Sequence, residues 1–505
     1  MSYPVEASKR RTAPLAVAAA GACALAGGLV AGDKAALAGA VAFFLACAIA
    51  LRDTAAPVVT WRTGIVALIL VIWLIPIRNY RLPVDLPFGL EVYRLIIMAL
   101  TLTWLAAALA RGGTIRAGGH GRAAFLVGAT TIAALVVNIG TIRDAGLQAE
   151  ALKSVSVSLS FLLAFVLVCT TIETMADVDA VIIAIVVGGS IVAIAAIYES
   201  RSLHNYFNDL GDWIPFLDYQ GHGAEATRAS RLRVRASAQH PIALGAALAM
   251  CVPFALYLAR RATTRGRFWL WILLGFVLLT GSLSTLSRTV VVMLVAMTAL
   301  AFWIRRRAVL RLWPLLIAVP LLVPLIAPGT LRTLYAALRP SEGLVGEQQA
   351  RPGGQGSGRI ADLEPGLRLW LESPVLGPGP GTSFTRDGTS TLDPSARRRL
   401  DEDPANPAPK AGIIFDNQYM FSLVTVGLVG LAAVIWFVWG AVVKLTRAAR
   451  QRMDETGDML AACAVSSIGF AVGMFTYDTF AFVQVTLIFF VIAALGLTAS
   501  SFPRG

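Results

Sequence analysis

Four short stretches hold most of the residues in this 505-residue chain that could do chemistry together: RVRASAQHP at 233–241, TGSLSTLSR at 280–288, GLRLWLESPVLGPGPG at 366–381 and FDNQYMFSLVTVGLVG at 415–430. Their common theme is arginine beside short polar residues. A guanidinium presents paired donors that match a phosphate bidentately, so Arg235, Arg288, Arg359 and Arg368 together suit a diphosphate. Arg288 stands out because it follows an apolar run and precedes another, at the boundary of the membrane. An ionisable group there needs a partner or a cavity; otherwise it is an arginine snorkelling into head groups. Asp416 is the acidic candidate and Asn417 its polar neighbour. The bland role for Asp416 is to cap the helix that follows. His240 precedes Pro241 at a helix start, where a histidine serves either as a structural hydrogen-bond donor or as a base. His204 and His222 lack partners at metal-ligand spacing, so no metal site and no cofactor is expected.

These residues need a scaffold, and composition says which kind. Hydrophobic residues make up 57% of the chain and charged residues 14%, with a mean hydropathy of +0.70, against about 25% charged in soluble domains. The excess apolar surface needs lipid. Runs of about 20 apolar residues, enough to cross about 30 Å of hydrocarbon, fall near 13–31, 35–51, 64–78, 92–110, 123–141, 152–171, 179–198, 242–260, 268–284, 288–304, 312–328, 415–443, 458–477 and 480–499. The expected fold is therefore all-α: one integral membrane domain over 1–505 with about 14 transmembrane helices. Cys23, Cys47, Cys169, Cys251 and Cys463 all lie inside apolar runs, which excludes a disulfide framework in the loops and reads as small hydrophobes packed between helices. The first run follows Lys9, Arg10 and Arg11 like a signal peptide, but a second run follows at once and makes a retained hairpin.

Basic clusters at 9–11, 111–122, 260–267, 305–311 and 444–452 fall on one side when loops are counted alternately. Short basic loops stay cytoplasmic, so both termini are expected there and the long loops 199–241 and 329–414 outside. Segments rich in Gly, Pro, Ser and charge within the second loop read as mobile in part. The net charge of +13 divides almost evenly between the two faces. The cytoplasmic share answers to orientation and anionic lipid, while the outer share has no such explanation. The basic residues are scattered over loops with no binding motif, which argues against nucleic acid.

In their order and placement the four stretches resemble the bacterial O-antigen ligase and polysaccharide polymerase family, whose members have a GT-C-type membrane fold. The family's re-entry pattern is His, then Asn, Ser or Gln, then nine residues, Gly, two residues, and Gly or a similar residue. Here Asp416 and Asn417 are followed by nine residues, Gly427, two residues and Gly430: the spacing is kept and the histidine is replaced. Ser287-Arg288 looks like the family's Ser-Arg signature, 368–381 like its Arg, Trp, Pro, Gly-x-Gly loop, and 235–241 like its Arg-to-His-Pro approach to a helix. The resemblance implies a bacterial cytoplasmic-membrane enzyme that moves a glycan from a polyprenyl diphosphate carrier to a lipid or glycan acceptor hydroxyl on the outer face, without a metal. It further implies that Arg288, with Arg235 or Arg368, holds the diphosphate, that position 416 activates the acceptor, and that the sugar inverts at its anomeric carbon. Aspartate has a reference pKa of about 3.9 against about 6.5 for histidine, so Asp416 is the weaker base unless burial raises it. A polymerase differs from a ligase only in acceptor. A transporter or flippase of lipid-linked glycan, the reading from another class, predicts internal repeats and a site near the midplane; no repeat is visible and the candidate charges gather on one face.

Overall fold

The computed structural model describes residues 60–83, 90–111, 120–214, 216–221, 227–228, 231–311, 363–382 and 415–503, with isolated positions between 314 and 335. Its helices are α1 Trp61–Leu74, α2 Val92–Arg111, α3 Gly121–Val137, the short α4 Ile139–Asp144, α5 Gln148–Thr171, α6 Met175–Ser202, α7 Pro241–Arg260, α8 Arg265–Ser284, α9 Arg288–Leu310, α10 Leu363–Glu372, α11 Gln418–Gln451, α12 Glu455–Gly473 and α13 Val483–Ala499. Eight of these are long and apolar enough to cross a membrane, and α1, α3 and α13 are shorter apolar helices. Each coincides with an expected run; the runs near 13–31 and 35–51, and most of 312–328, lie outside the described residues. The protein is a multi-pass, essentially all-helical membrane protein. The exceptions are two antiparallel two-residue pairs: Tyr80–Arg81 (β1) on Asp218–Tyr219 (β2), and Thr227–Arg228 (β3) on Arg231–Leu232 (β4).

α13 is buried along its whole length. A helix that is apolar all round must be surrounded by protein or lipid, and α13 is surrounded by protein, packing on α5, α12, α7 and α11. α7 is its partner in the centre, against α6, α8, α9 and α12. Pro241 at the first position suits α7 because the missing N–H has no partner there in any helix. Small residues allow close approach: a Cβ on Gly281 of α8 would sit 2.7 Å from the Ala193 Cβ of α6, the packing that membrane helices use where lipid offers no hydrophobic drive. Cys169, Cys251 and Cys463 are buried and free, as their apolar surroundings suggest; Cys23 and Cys47 lie outside the described residues.

Successive helices alternate in direction, so the connections collect at two ends. At one end Arg62 meets Asp177 (3.7 Å), Arg261 meets Asp179 and Glu455 (3.0 Å to the latter), and Asp458 receives both Arg260 (3.1 Å) and Arg305 (3.2 Å). This is the basic end. The opposite, loop end holds the connections 75–91, 203–240, 285–287, 373–382, 415–417 and 474–482.

Candidate functional site

All four chemically promising stretches lie at the loop end, and 233–241, 415–430 and Thr289, which follows 280–288, all reach the segment 474–484, made of the connection between α12 and α13 and the first residues of α13. From 415–430, the Gln418 amide N–H donates to the Met474 carbonyl (2.8 Å), and the Gln418 Oε1 accepts from the Phe480 amide (2.7 Å). At the start of α9, Thr289 meets Thr476 hydroxyl to hydroxyl (2.9 Å). From 233–241, Gln239 Oε1 accepts from Val483 N–H (3.2 Å), Ser237 Oγ accepts from Gln484 Nε2 (3.2 Å), and the His240 ring lies 5.5 Å from that of Phe482. The stretches 233–241 and 280–288 also touch directly, through Arg233 Nε donating to the Thr285 carbonyl at 3.4 Å.

The stretch 366–381 joins through a break in α11. Gly427 has φ +69° and ψ −171°, far from helical, and its break exposes backbone groups that the loop satisfies. Leu428 N–H donates to the Pro374 carbonyl (2.9 Å), Val429 N–H to that of Val375 (3.2 Å), and Gly379 N–H to that of Thr425 (3.1 Å). The two chains approach so closely that a Cβ on Gly427 would stand 2.2 Å from the Val375 oxygen, and one on Gly377 2.3 Å from the Thr425 oxygen. Both glycines also have φ in the left-handed region, which any side chain strains. Glycine at these two motif positions is thus required by backbone approach. Broken helices belong to transporters as well, but this break is filled by loop backbone.

Each candidate side chain has a definite place. Arg288 opens α9, with Ser287 at its N-cap. Arg235 lies where Glu199, itself buried, accepts the Arg235 and Ala236 amides (3.3 and 2.7 Å), and its Nη2 reaches Asn208 Oδ1 at 3.4 Å. His240 caps α7, its Nδ1 accepting the Ile242 amide hydrogen (3.2 Å). Arg368 pairs with Glu364 one turn back at 2.6 Å, both well exposed. Arg359 lies outside the described residues. The cap of α11 is a correction: Asn417, not Asp416, accepts the Tyr419 and Met420 amides (3.0 and 3.3 Å). An Ncap residue is half outside the helix with its side chain turned back, and Asn417 has that extended geometry, which leaves Asp416 one position before it.

The connection 474–482 brings in a residue that the sequence reading passed over, Asp478. Burial, aided by the like charge of Asp416, pushes its carboxyl up to about 7, against the pull of the Ala481 amide and Arg78. The Oδ1 is sealed from solvent with no protein hydrogen-bond partner. Arg78, likewise unremarked in the sequence, has φ +68°. Both line a cavity of about 250 Å³ between α3, α5, α11 and the connection. Its lining is mixed: Glu150 and Lys153 come from the start of α5, and Val127, Leu162, Val434 and Phe490 are among the apolar members. The signal that could have found Asp478 is the rule applied to Arg288, a charge between two apolar runs. No group of three or more His, Cys, Asp or Glu side chains that could hold a metal occurs among the described residues.

Residues 270–435 match the family described as O-antigen ligase. The matched stretch begins in α8, includes 280–288, 366–381 and 415–430, and ends within α11; it is less than half of the chain. No curated protein matches the chain. The protein is therefore a multi-pass membrane protein with a stretch that matches the O-antigen ligase family, a family involved in surface polysaccharide assembly.

Proposed function

We propose that this protein is an O-antigen ligase-type glycosyltransferase, with about fourteen spans in a GT-C-like arrangement, in the bacterial cytoplasmic membrane with its termini inside and the loop end outside. The observation that carries the reading is the convergence of 233–241, the start of α9 and 415–430 on the 474–482 connection and the first turn of α13, within and beside the matched stretch. In this reading a polyprenyl diphosphate-linked glycan lays its diphosphate against Arg288 and Arg235, with Arg368 and Arg359 as outer contacts. His240 and Asn417 hold the adjoining helix starts and line the approach of the glycan. The acceptor oxygen bonds to the anomeric carbon while the bond from that carbon to the diphosphate breaks. The electron pair leaves on the diphosphate, where fixed cations stabilise the departing charge. The acceptor's proton goes to Asp416 as general base.

A ligase and a polymerase share this donor chemistry and differ in acceptor. The deciding experiment follows glycan transfer from purified carrier-linked donor to a panel of lipid and glycan acceptors. Product with any acceptor supports a transferase. Donor left unconsumed with every acceptor, together with its movement across the bilayer in vesicles, would shift the reading to a flippase, which the broken helix α11 would then serve.

A further inference from the structure

At the basic end several carboxylates are already engaged: Asp177 by Arg62, Asp179 and Glu455 by Arg261, and Asp458 by Arg260 and Arg305, while Asp454 caps α12. Four neighbouring arginines have no share in them. Arg306 and Arg307 of α9 and Arg447 and Arg450 of α11 are exposed and make no ion pair among the described residues. Two of them lie over aromatic rings instead: Arg450 is 4.6 Å from the centre of the Trp303 ring and Arg306 is 5.4 Å from that of Phe302. Arg450 belongs to α11 and Trp303 to α9, so this contact joins the two helices. Arg305 fixes the same junction: it leaves helical geometry (φ −137°, ψ 54°) and donates to the Ala449 and Arg452 carbonyls at the end of α11.

Away from these arginines both helices turn apolar side chains to the surface. On α11, Trp436, Val443 and Arg450 are spaced by seven and share one exposed face. On α9, the exposed Val292 and Trp303 stand eleven residues apart and share a face in the same way. Eleven residues rise about 16 Å, which is about half of a hydrocarbon core of about 30 Å and so one leaflet. A basic end that only set orientation would need charge and no fixed geometry. A guanidinium held over a ring is fixed in place and keeps its edge donors available, a geometry that suits a phosphate.

We propose that the junction of α9 and α11 at the basic end binds one anionic phospholipid of the adjoining leaflet. Its phosphate takes paired hydrogen bonds from Arg450, with Arg447 one turn away and Arg306 on the facing helix adding charge. Its chains lie along the two apolar stripes. Net negative charge on the head group matters, because a zwitterionic lipid would bring its own ammonium against the arginines. The assignment is independent of the transferase reading.

The test uses the full-length protein in detergent, titrated with micelles carrying phosphatidylglycerol or phosphatidylcholine, or with free glycerol phosphate. Retained lipid is read by native mass spectrometry, and binding also by the thermal midpoint, which a bound ligand raises. Phosphatidylglycerol should stay bound and raise the midpoint; the other two should not. Arg450→Gln should weaken that binding by about tenfold or more. Arg450→Lys keeps the charge and loses the fork, so it should weaken binding to a smaller degree, while Arg265→Gln at the start of α8, also exposed and basic, leaves it unchanged. Equal retention of phosphatidylcholine overturns the charge recognition and with it the proposal. Glycerol phosphate that matches the intact lipid makes this a free-phosphate site and overturns the lipid. Binding unchanged in both Arg450→Gln and Arg447→Gln puts the lipid elsewhere. A doubled protein mass that Arg450→Gln returns to single makes this face a contact between copies, against the proposal. Should Arg450→Gln not fold, Trp303→Leu removes the ring under the guanidinium and should weaken binding likewise; undiminished binding there counts against the site.

Discussion

At the basic end, Arg260, Arg261 and Arg305 each reach a carboxylate, and Arg305 also donates to the Ala449 and Arg452 carbonyls (2.9 and 2.6 Å). Arg450 lies over the Trp303 ring at 4.6 Å. At the loop end some charges are paired as well, Glu91 with Arg94 at 3.1 Å for instance, but a sealed oxygen of Asp478 has no protein donor. Backbone strain divides the same way. Among the described residues, the non-glycine residues with positive φ are Arg78, Leu203, Ala236 and Leu286, all at the loop end. Such strain persists only where surroundings over-determine it, and it gathers at working sites. The basic end thus uses charge to hold helices together, whereas the loop end carries the backbone strain and a sealed carboxylate oxygen.

The comparison breaks if variants at the two ends behave alike. The largest effect is expected for Asp416→Asn. Because Asn417 caps α11, the Asn variant should fold and insert normally yet transfer glycan about 100-fold more slowly, as for loss of a general base; full activity measured with purified donor would strip Asp416 of that role. Arg288→Lys keeps the charge and loses the planar fork, so transfer should fall by about 10-fold or more at unchanged protein abundance, read from the same assay. Asp458→Asn at the basic end removes the carboxylate that Arg305 and Arg260 share. It should lower stability by about 1–3 kcal/mol, seen as a reduced thermal midpoint, with transfer per folded molecule within about twofold of wild type. Asn417→Ala removes a cap and should cost about 1 kcal/mol, detectable by the same thermal measurement.

Much of this division was legible in the sequence. Apolar run length is what spans a bilayer, so every described membrane helix coincides with an expected run, and basic loops assort to one end because charge patterning records it. The Gly427 break was not legible, since Val426, Leu428 and Val429 continue the apolar run through it, and only the incoming loop shows why the helix stops. The 474–482 connection hid for the same reason: Phe475, Tyr477, Phe480 and Phe482 read as more membrane, and the expected run carried to 477, whereas α12 ends at Gly473. Asp478 is the single punctuation. The capping residue moved by one because Asp and Asn are nearly equal as caps, so composition alone could not choose between 416 and 417.

The seam where 374–379 inserts into α11 couples the loop to the helix. The Leu428 and Val429 amides belong to side chains that are 54% and 44% exposed, within a helix long and apolar enough to cross a membrane, where an unpaired amide would be costly. With α11 broken at Gly427, those amides cannot use the carbonyls four residues back, and Pro374 and Val375 supply the acceptors instead. The break in α11 and the docking of 374–379 are therefore one event: neither the kink nor the loop's position is satisfied without the other.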